Sequence, residues 1–161
     1  MSVALLLAAS TAFATEVHII SEGDPLVVTG DFNIKPGDPT YDMIVEGEIS
    51  PEHPHYPRAA PPSEVCAAEA AWTPGAAPMR SAYAEFNGAE PEFTNLARRG
   101  STEFCGTLDY IWLSPEWDVA GVVPLPARKS LPEHIMSFPS SDEPSDHMLV
   151  GADLGLRSRR L

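Results

Sequence analysis

Positive charge is what this chain has least of: 10 Lys and Arg stand against 23 Asp and Glu, a formal net charge of −13. Broad, sequence-independent binding to nucleic acid is driven by basic side chains that neutralise phosphates, so the bulk field of this chain excludes it. The basic cluster it does have, Arg157, Arg159 and Arg160, stands at the end of the chain, where a frayed, solvated tail over 157–161 is expected. An acidic balance does not exclude chemistry on phosphates, because sites that hold Mg²⁺ are acidic by construction.

Cysteine is equally scarce. Cys66 and Cys105 are far apart and form no CxxC pair, which points away from zinc and from a disulfide framework, and toward reduced thiols in an intracellular protein. Long apolar runs are missing as well. The Met1–Ala14 stretch ends in Ala-Phe-Ala, like a cleavage site, but no positive charge precedes its apolar run, and the run is too short to span a bilayer. A secretory signal is therefore disfavoured. Val3, Leu6, Leu7, Phe13, Val17 and Ile20 recur at helical steps instead, and predict an amphipathic helix over that span. The expected location is cytoplasmic, with the nucleus as the alternative, and no membrane partner is expected.

Proline, by contrast, is abundant. Seventeen prolines are about twice the average usage and predict much irregular structure. Many fall between residues 48 and 78, a Pro- and Ala-rich stretch read as a surface loop with one helical turn near Val65–Ala71. Elsewhere the chain is punctuated into elements. Pro25–Thr29 reads as a buried strand ending at Gly30-Asp31-Phe32-Asn33. Asp38 or Thr40 could cap a short helix through Met43–Val45, closed by Gly47. Met79–Phe86 reads as helix, and Gly106–Leu113, Trp117–Val123 and Met148–Leu156 as strands. The mixture predicts an α/β fold, with a sheet-rich layer packed on a partner layer.

Chemistry collects at the strand edges: Asp31 and Asn33, then Asp109, then Ser145-Asp146-His147. A phosphodiester hydrolase needs a carboxylate to orient or deprotonate water, oxygen ligands for a metal, and donors for the developing charge. An Asp after Gly at a strand end is, taken singly, more often a turn former than a catalyst. Asp109 is harder to dismiss, because an unpaired carboxylate in an apolar strand costs several kcal/mol or becomes protonated. It needs a partner, and His147 is the best candidate, in a catalytic or a purely structural pair. His18, His53, His55 and His134 have no such support, and Trp72, Trp112 and Trp117 read as packing.

The order Gly-Asp-Phe-Asn, Leu-Asp-Tyr-Ile-Trp, Ser-Asp-His resembles the endonuclease/exonuclease/phosphatase superfamily. Pro91–Asn95, Phe104–Trp112, Val122–Pro126 and Pro144–His147 look most like its deadenylase, nocturnin-like and angel-like branch. The resemblance implies the C-terminal half of a four-layer α/β-sandwich like that of deoxyribonuclease I, an incomplete domain over 1–156. It implies Mg²⁺, with Mn²⁺ as the alternative, and a deadenylase-like 3′-exoribonuclease. In such enzymes Asp31 would orient the attacking water, Asn33 would contact the scissile phosphate, and His147 would stabilise the transition state with Asp109 fixing its ring. Asp146 would sit by the metal, Asn95 would shape the site, and Phe104 would stack on a base, a contact worth roughly 1–3 kcal/mol. Ordinary core packing is the alternative for Phe104.

The family's N-terminal half, with its principal metal-binding glutamate, has no counterpart in these residues, so that half is the expected partner and the isolated chain is expected to hydrolyse RNA poorly. Two further readings stand beside the exoribonuclease. One is a relative acting on an inositol phosphate, a sphingolipid or a dinucleotide phosphate. The other is a binding remnant that kept the motifs without catalysis.

Overall fold

Val27 and Val28 follow Pro25, a residue that cannot donate to a ladder, and precede Gly30, so a short strand is the arrangement local chemistry favours. The computed structural model describes residues 5–7, 24–54, 56, 77–141 and 143–157. In it that run is β2 (Val27–Asp31), and β1 (Leu5–Leu7) lies parallel to it with Leu5 opposite Val27. β1 corrects the helix expected over Val3–Ile20 at those residues; the remainder of that span lies outside the described residues. A short leucine run does not tell strand from helix by periodicity, and the open edge of β2 decides it.

Beyond β2 comes α1 (Pro39–Glu46), with Asp38 at its N-cap and Gly47 closing it in the left-handed region at φ 77°. The Asp38 carboxylate does not cap the helix, however. Its Oδ2 accepts from the Lys35 N–H at 2.8 Å, while the Asp38 N–H donates to the Lys35 carbonyl at 3.0 Å. Gly47 is required twice over, since a Cβ there would also fall 2.7 Å from Pro78 Cγ. The described part of the 48–78 loop carries no strand or helix; its expected helical turn at Val65–Ala71 lies outside the described residues.

The expected helix at Met79–Phe86 splits in two. Arg80–Ser81 is a short edge strand, β3, and Ser81 then caps α2 (Ala82–Asn87), its Oγ accepting from the Ala84 N–H at 3.4 Å. Gly106–Leu113 likewise divides. Gly106 ends β5 (Thr102–Gly106), which pairs antiparallel with β4 (Asn95–Arg99) around Gly100 at φ 62°, and Asp109 begins β6 (Asp109–Leu113). The hairpin had no sequence signal, because Arg98–Glu103 is polar throughout and lacks period-two alternation. β7 (Trp117–Val122) pairs with β8 (Ala152–Leu156), shorter than the expected Met148–Leu156 strand.

β6 organises the rest. Among the described residues the sheet order is β1-β2-β6-β3, with β6 antiparallel to both neighbours and Asp109 directly opposite Asp31. Alternation along β6 sends Ile111 and Leu113 into one cluster with Ala82, Tyr83 and Trp117. Tyr110 and Trp112, 4.8 Å apart and stacked, instead meet Phe32 and Tyr41. At about 1.5–3 kcal/mol for each fully buried large side chain, these two layers hold β6 firmly. A smaller core of Phe93, Leu96 and Phe138 lies under the β4–β5 hairpin. Between α1 and β3 the Glu90 carboxylate accepts from the Tyr41 and Ser81 hydroxyls, both at 2.9 Å. Burial pushes the Glu90 pKa up, opposed by those two hydrogen bonds.

The expected tail is corrected at its first residue. Arg157 Nε donates to Asp118 at 2.6 Å and its NH1 to the Pro115 carbonyl at 2.9 Å, with Glu85 within ion-pair distance of NH2. Two carboxylates and a carbonyl hold this exposed guanidinium; residues 158–161 lie outside the described residues. Among the described residues no helix is long and apolar enough to cross a membrane.

Candidate active site

Asp31 ends β2 and Asp109 begins β6, and antiparallel register sets them opposite each other. Directly opposed residues share a face of the sheet, so like charges there repel unless something stands between them. His147 does. Its Nδ1 is 2.9 Å from Asp109 Oδ2, and its Nε2 is 4.0 Å from Asp31 Oδ2. The Asp109 side chain is 12% exposed, His147 31% and Asp31 41%, so the group opens toward solvent on the Asp31 side.

Backbone pairing carries His147 to this position. Asn95 bridges His147 in antiparallel fashion, the Leu96 N–H donates to the Asp146 carbonyl at 3.1 Å, and the Met148 N–H to the Thr94 carbonyl at 2.7 Å. Ser145 Oγ accepts from the His147 N–H at 3.0 Å, which turns the chain tightly into that ladder. Ser-Asp-His is thus tied to Thr94–Leu96 through a single antiparallel bridge between Asn95 and His147.

An ionised carboxylate only accepts, so Nδ1 carries the proton toward Asp109 and Nε2 is left facing Asp31 and the opening. Burial lowers the His147 pKa. The hydrogen bond with Asp109 and the charges of Asp109, Asp31 and Asp146 raise it by more, and the net shift is upward. The imidazole is therefore biased toward its cationic form.

The other predicted residues take distinct places. Asn33 is exposed in the left-handed region at φ 53°, its N–H donating to Asp31 Oδ1 at 2.9 Å. One Asp31 oxygen thereby shapes the turn that presents the Asn33 amide, and the other faces His147. Asp146 is half-buried next to His147. Asn95 is buried on β4 opposite Gly106. Phe104 is half-buried on β5, apart from the Asp–His–Asp group, with the Lys35 ammonium 4.9 Å from its ring centroid.

Two residues here had no role assigned from the sequence. Thr94, fully buried, donates from Oγ1 to Asp109 Oδ2 at 2.6 Å and accepts from the Leu108 and Asp109 N–H groups at 2.9 and 3.0 Å. A threonine at a strand entrance is too common to single out, and its partner lies across a hairpin. Lys35, exposed two residues beyond Asn33, is the other.

Asp31 and Asp146 are hard oxygen donors of the kind Mg²⁺ takes. They match such a cation in chemistry and fall short in number: among the described residues no three His, Cys, Asp or Glu side chains converge to hold a metal.

The Endonuclease/Exonuclease/phosphatase family model matches residues 6–147. Carbon catabolite repressor protein 4 homolog 4 of Arabidopsis thaliana is 33% identical over 155 residues, covering 94% of this chain and 32% of that protein. 2',5'-Phosphodiesterase 12 of Bos taurus is 29% identical over 140 residues, 82% of this chain and 20% of that protein. The CCR4-Not complex 3'-5'-exoribonuclease subunit Ccr4 of Coccidioides immitis is 27% identical over 137 residues, 84% and 17%. The chain spans a third or less of the length of these relatives.

Proposed function

The chain belongs to the endonuclease/exonuclease/phosphatase family, and on that premise we propose that it carries part of the active site of a metal-dependent phosphodiesterase, a deadenylase-like 3′-exoribonuclease. The observation that carries this reading is the imidazole of His147 set between Asp109 and Asp31, at 2.9 and 4.0 Å.

Hydrolysis of a phosphodiester builds negative charge on the phosphate oxygens as water attacks and the alkoxide leaves. With Nδ1–H given to Asp109, the cationic ring has Nε2–H free to donate to such an oxygen. Asp109, anchored by Thr94, keeps the ring aimed and offsets its charge. Asp31 Oδ2 faces the same space and accepts a proton from the attacking water. Asn33 adds an amide donor to the scissile phosphate. A divalent cation beside Asp146, Mg²⁺ or Mn²⁺, would supply Lewis-acid stabilisation of the same charge. In this reading its remaining ligands belong to the N-terminal half of the same domain. Asn95 shapes the site and Phe104 offers its ring to a base. RNA as substrate goes with a cytoplasmic or nuclear place of work.

Similarity to a 3'-5'-exoribonuclease subunit favours RNA with 3′–5′ linkages. Similarity to a 2',5'-phosphodiesterase supports a second reading, in which the linkage is 2′–5′. The test is turnover by purified protein that carries both halves of the domain, on 3′–5′ and 2′–5′ adenylate oligomers across a Mg²⁺ titration. Metal-dependent shortening of the 3′–5′ oligomer from its 3′ end is expected, with a loss of roughly 10²–10⁴-fold in His147→Ala. Preference for the 2′–5′ oligomer would move the assignment to the second reading. Affinity without turnover would leave a binding protein, and would overturn both.

A further inference from the structure

Lys35 stands two residues beyond Asn33, exposed, in a chain that has few cations. Its backbone is fixed by the reciprocal hydrogen bonds with Asp38, at 2.8 and 3.0 Å. Its side chain does not go to a carboxylate: among the described residues no ion pair includes it. The ammonium lies instead 4.9 Å from the centroid of the Phe104 ring.

Gly106 lies beneath this pair. A Cβ there would crowd the ring, at 3.3 Å from Phe104 Cζ, and would touch the lysine stem in ordinary contact, at 3.9 Å from Cε. Gly106 pairs with Asn95, and Asn95 bridges His147. Two strand spacings, roughly 10 Å, thus separate the backbone under the ring from that of His147. A phosphate held at the imidazole would have a neighbouring base within reach of the ring.

We propose that Lys35 occupies the Phe104 platform when no base lies there, and yields it to a base while its ammonium moves to an adjoining phosphate. The inference rests on the nucleic-acid reading above and names how that site recognises its substrate. A stacked base is the stronger partner for an aromatic ring than an exposed lysine is, so the exchange runs toward the base. The displaced ammonium is not stranded, because a nucleotide that brings a base also brings a phosphate, and a charge-assisted contact replaces the one given up. The flexible four-carbon stem allows the move without disturbing the turn that Asp38 holds. A phosphoester without a base gains no such exchange, so Lys35 and Phe104 together select for nucleic acid in a chain whose bulk charge repels it.

The experiment compares full-length wild type, Lys35→Met and Lys35→Arg on an adenylate oligomer and on a base-free sugar-phosphate oligomer, with kinetics and binding followed over a range of salt. On the adenylate oligomer Lys35→Met should raise KM about 3- to 10-fold at low salt, with the loss falling chiefly in KM rather than kcat. The slope of log affinity against log salt should become shallower by about 0.7, the share of one phosphate on a single strand, and Lys35→Arg should restore it. The slope difference should shrink on the base-free oligomer, where nothing displaces the ammonium. A slope in Lys35→Met equal to wild type on the adenylate oligomer would overturn the inference and leave the functional reading intact. An equal slope difference on both oligomers would make Lys35 an ordinary surface charge, and would overturn it too. A wild-type protein with no affinity for either oligomer would overturn the functional reading, and this inference with it.

Discussion

Thr94 and Asp109 hold each other from both ends: the threonine hydroxyl donates to the carboxylate at 2.6 Å and accepts from the aspartate's own N–H at 3.0 Å. Because the same carboxylate oxygen meets His147 Nδ1, the hydroxyl positions the imidazole without touching it.

Thr94→Val keeps the branched shape and removes those bonds. It leaves a carboxylate short of a donor and the Leu108 and Asp109 N–H groups without their acceptor. Unmade buried hydrogen bonds cost about 1–3 kcal/mol each, so urea unfolding should show a loss of that order. Turnover should fall as well, with a change in its pH profile, and Thr94→Ser should recover both. An unchanged midpoint and pH profile would show that Asp109 is held by something else.

Asp109→Asn should lower the His147 pKa, because burial remains while the hydrogen bond to a carboxylate and its charge are gone. Titrating the imidazole by NMR in protein treated with a chelator measures this directly. In the wild type folding raises the pKa, so the protonated ring stabilises the fold. That contribution is complete below the ordinary histidine value and disappears as pH climbs through the raised one. The stability gap between wild type and variant should therefore narrow with rising pH; a gap that widens would contradict the pairing.

Glu90 makes a prediction of the same sign from a different cause. Burial raises its carboxyl pKa, so the wild type should lose stability as pH climbs from the ordinary glutamate value through the raised one. Glu90→Gln cannot ionise and should lack that slope, while its amide oxygen still accepts from Tyr41 or Ser81. Thermal midpoints across a pH series check it. Parallel curves would mean that Glu90 does not titrate in this window.

The chemistry of this chain was legible residue by residue. The apolar run Tyr110–Leu113, the Asp38–Gly47 helix bracket and the need of Asp109 for a partner are local facts. A carboxylate among apolar neighbours must find a cation or a donor wherever the chain runs. What stayed illegible was pairing. The leucines of β1, the polar β4–β5 hairpin and the Arg157 ion pairs take their form from neighbours distant in sequence, and no local period encodes those.

The sequence by itself therefore determined which groups must be satisfied: Asp31 at a strand end, Asp109 in an apolar strand, a histidine near the C-terminus, and a chain too acidic to bind nucleic acid by bulk charge. Only the tertiary structure decided how. Strand register set Asp31 against Asp109 and drew His147 between them, and the hairpin delivered the Thr94 hydroxyl. The fold also brought Lys35 over the Phe104 ring, above Gly106. Each of these depends on the register of strands brought together over long stretches of chain. Register is fixed by the summed packing of both faces of β6 rather than by the residues that use it.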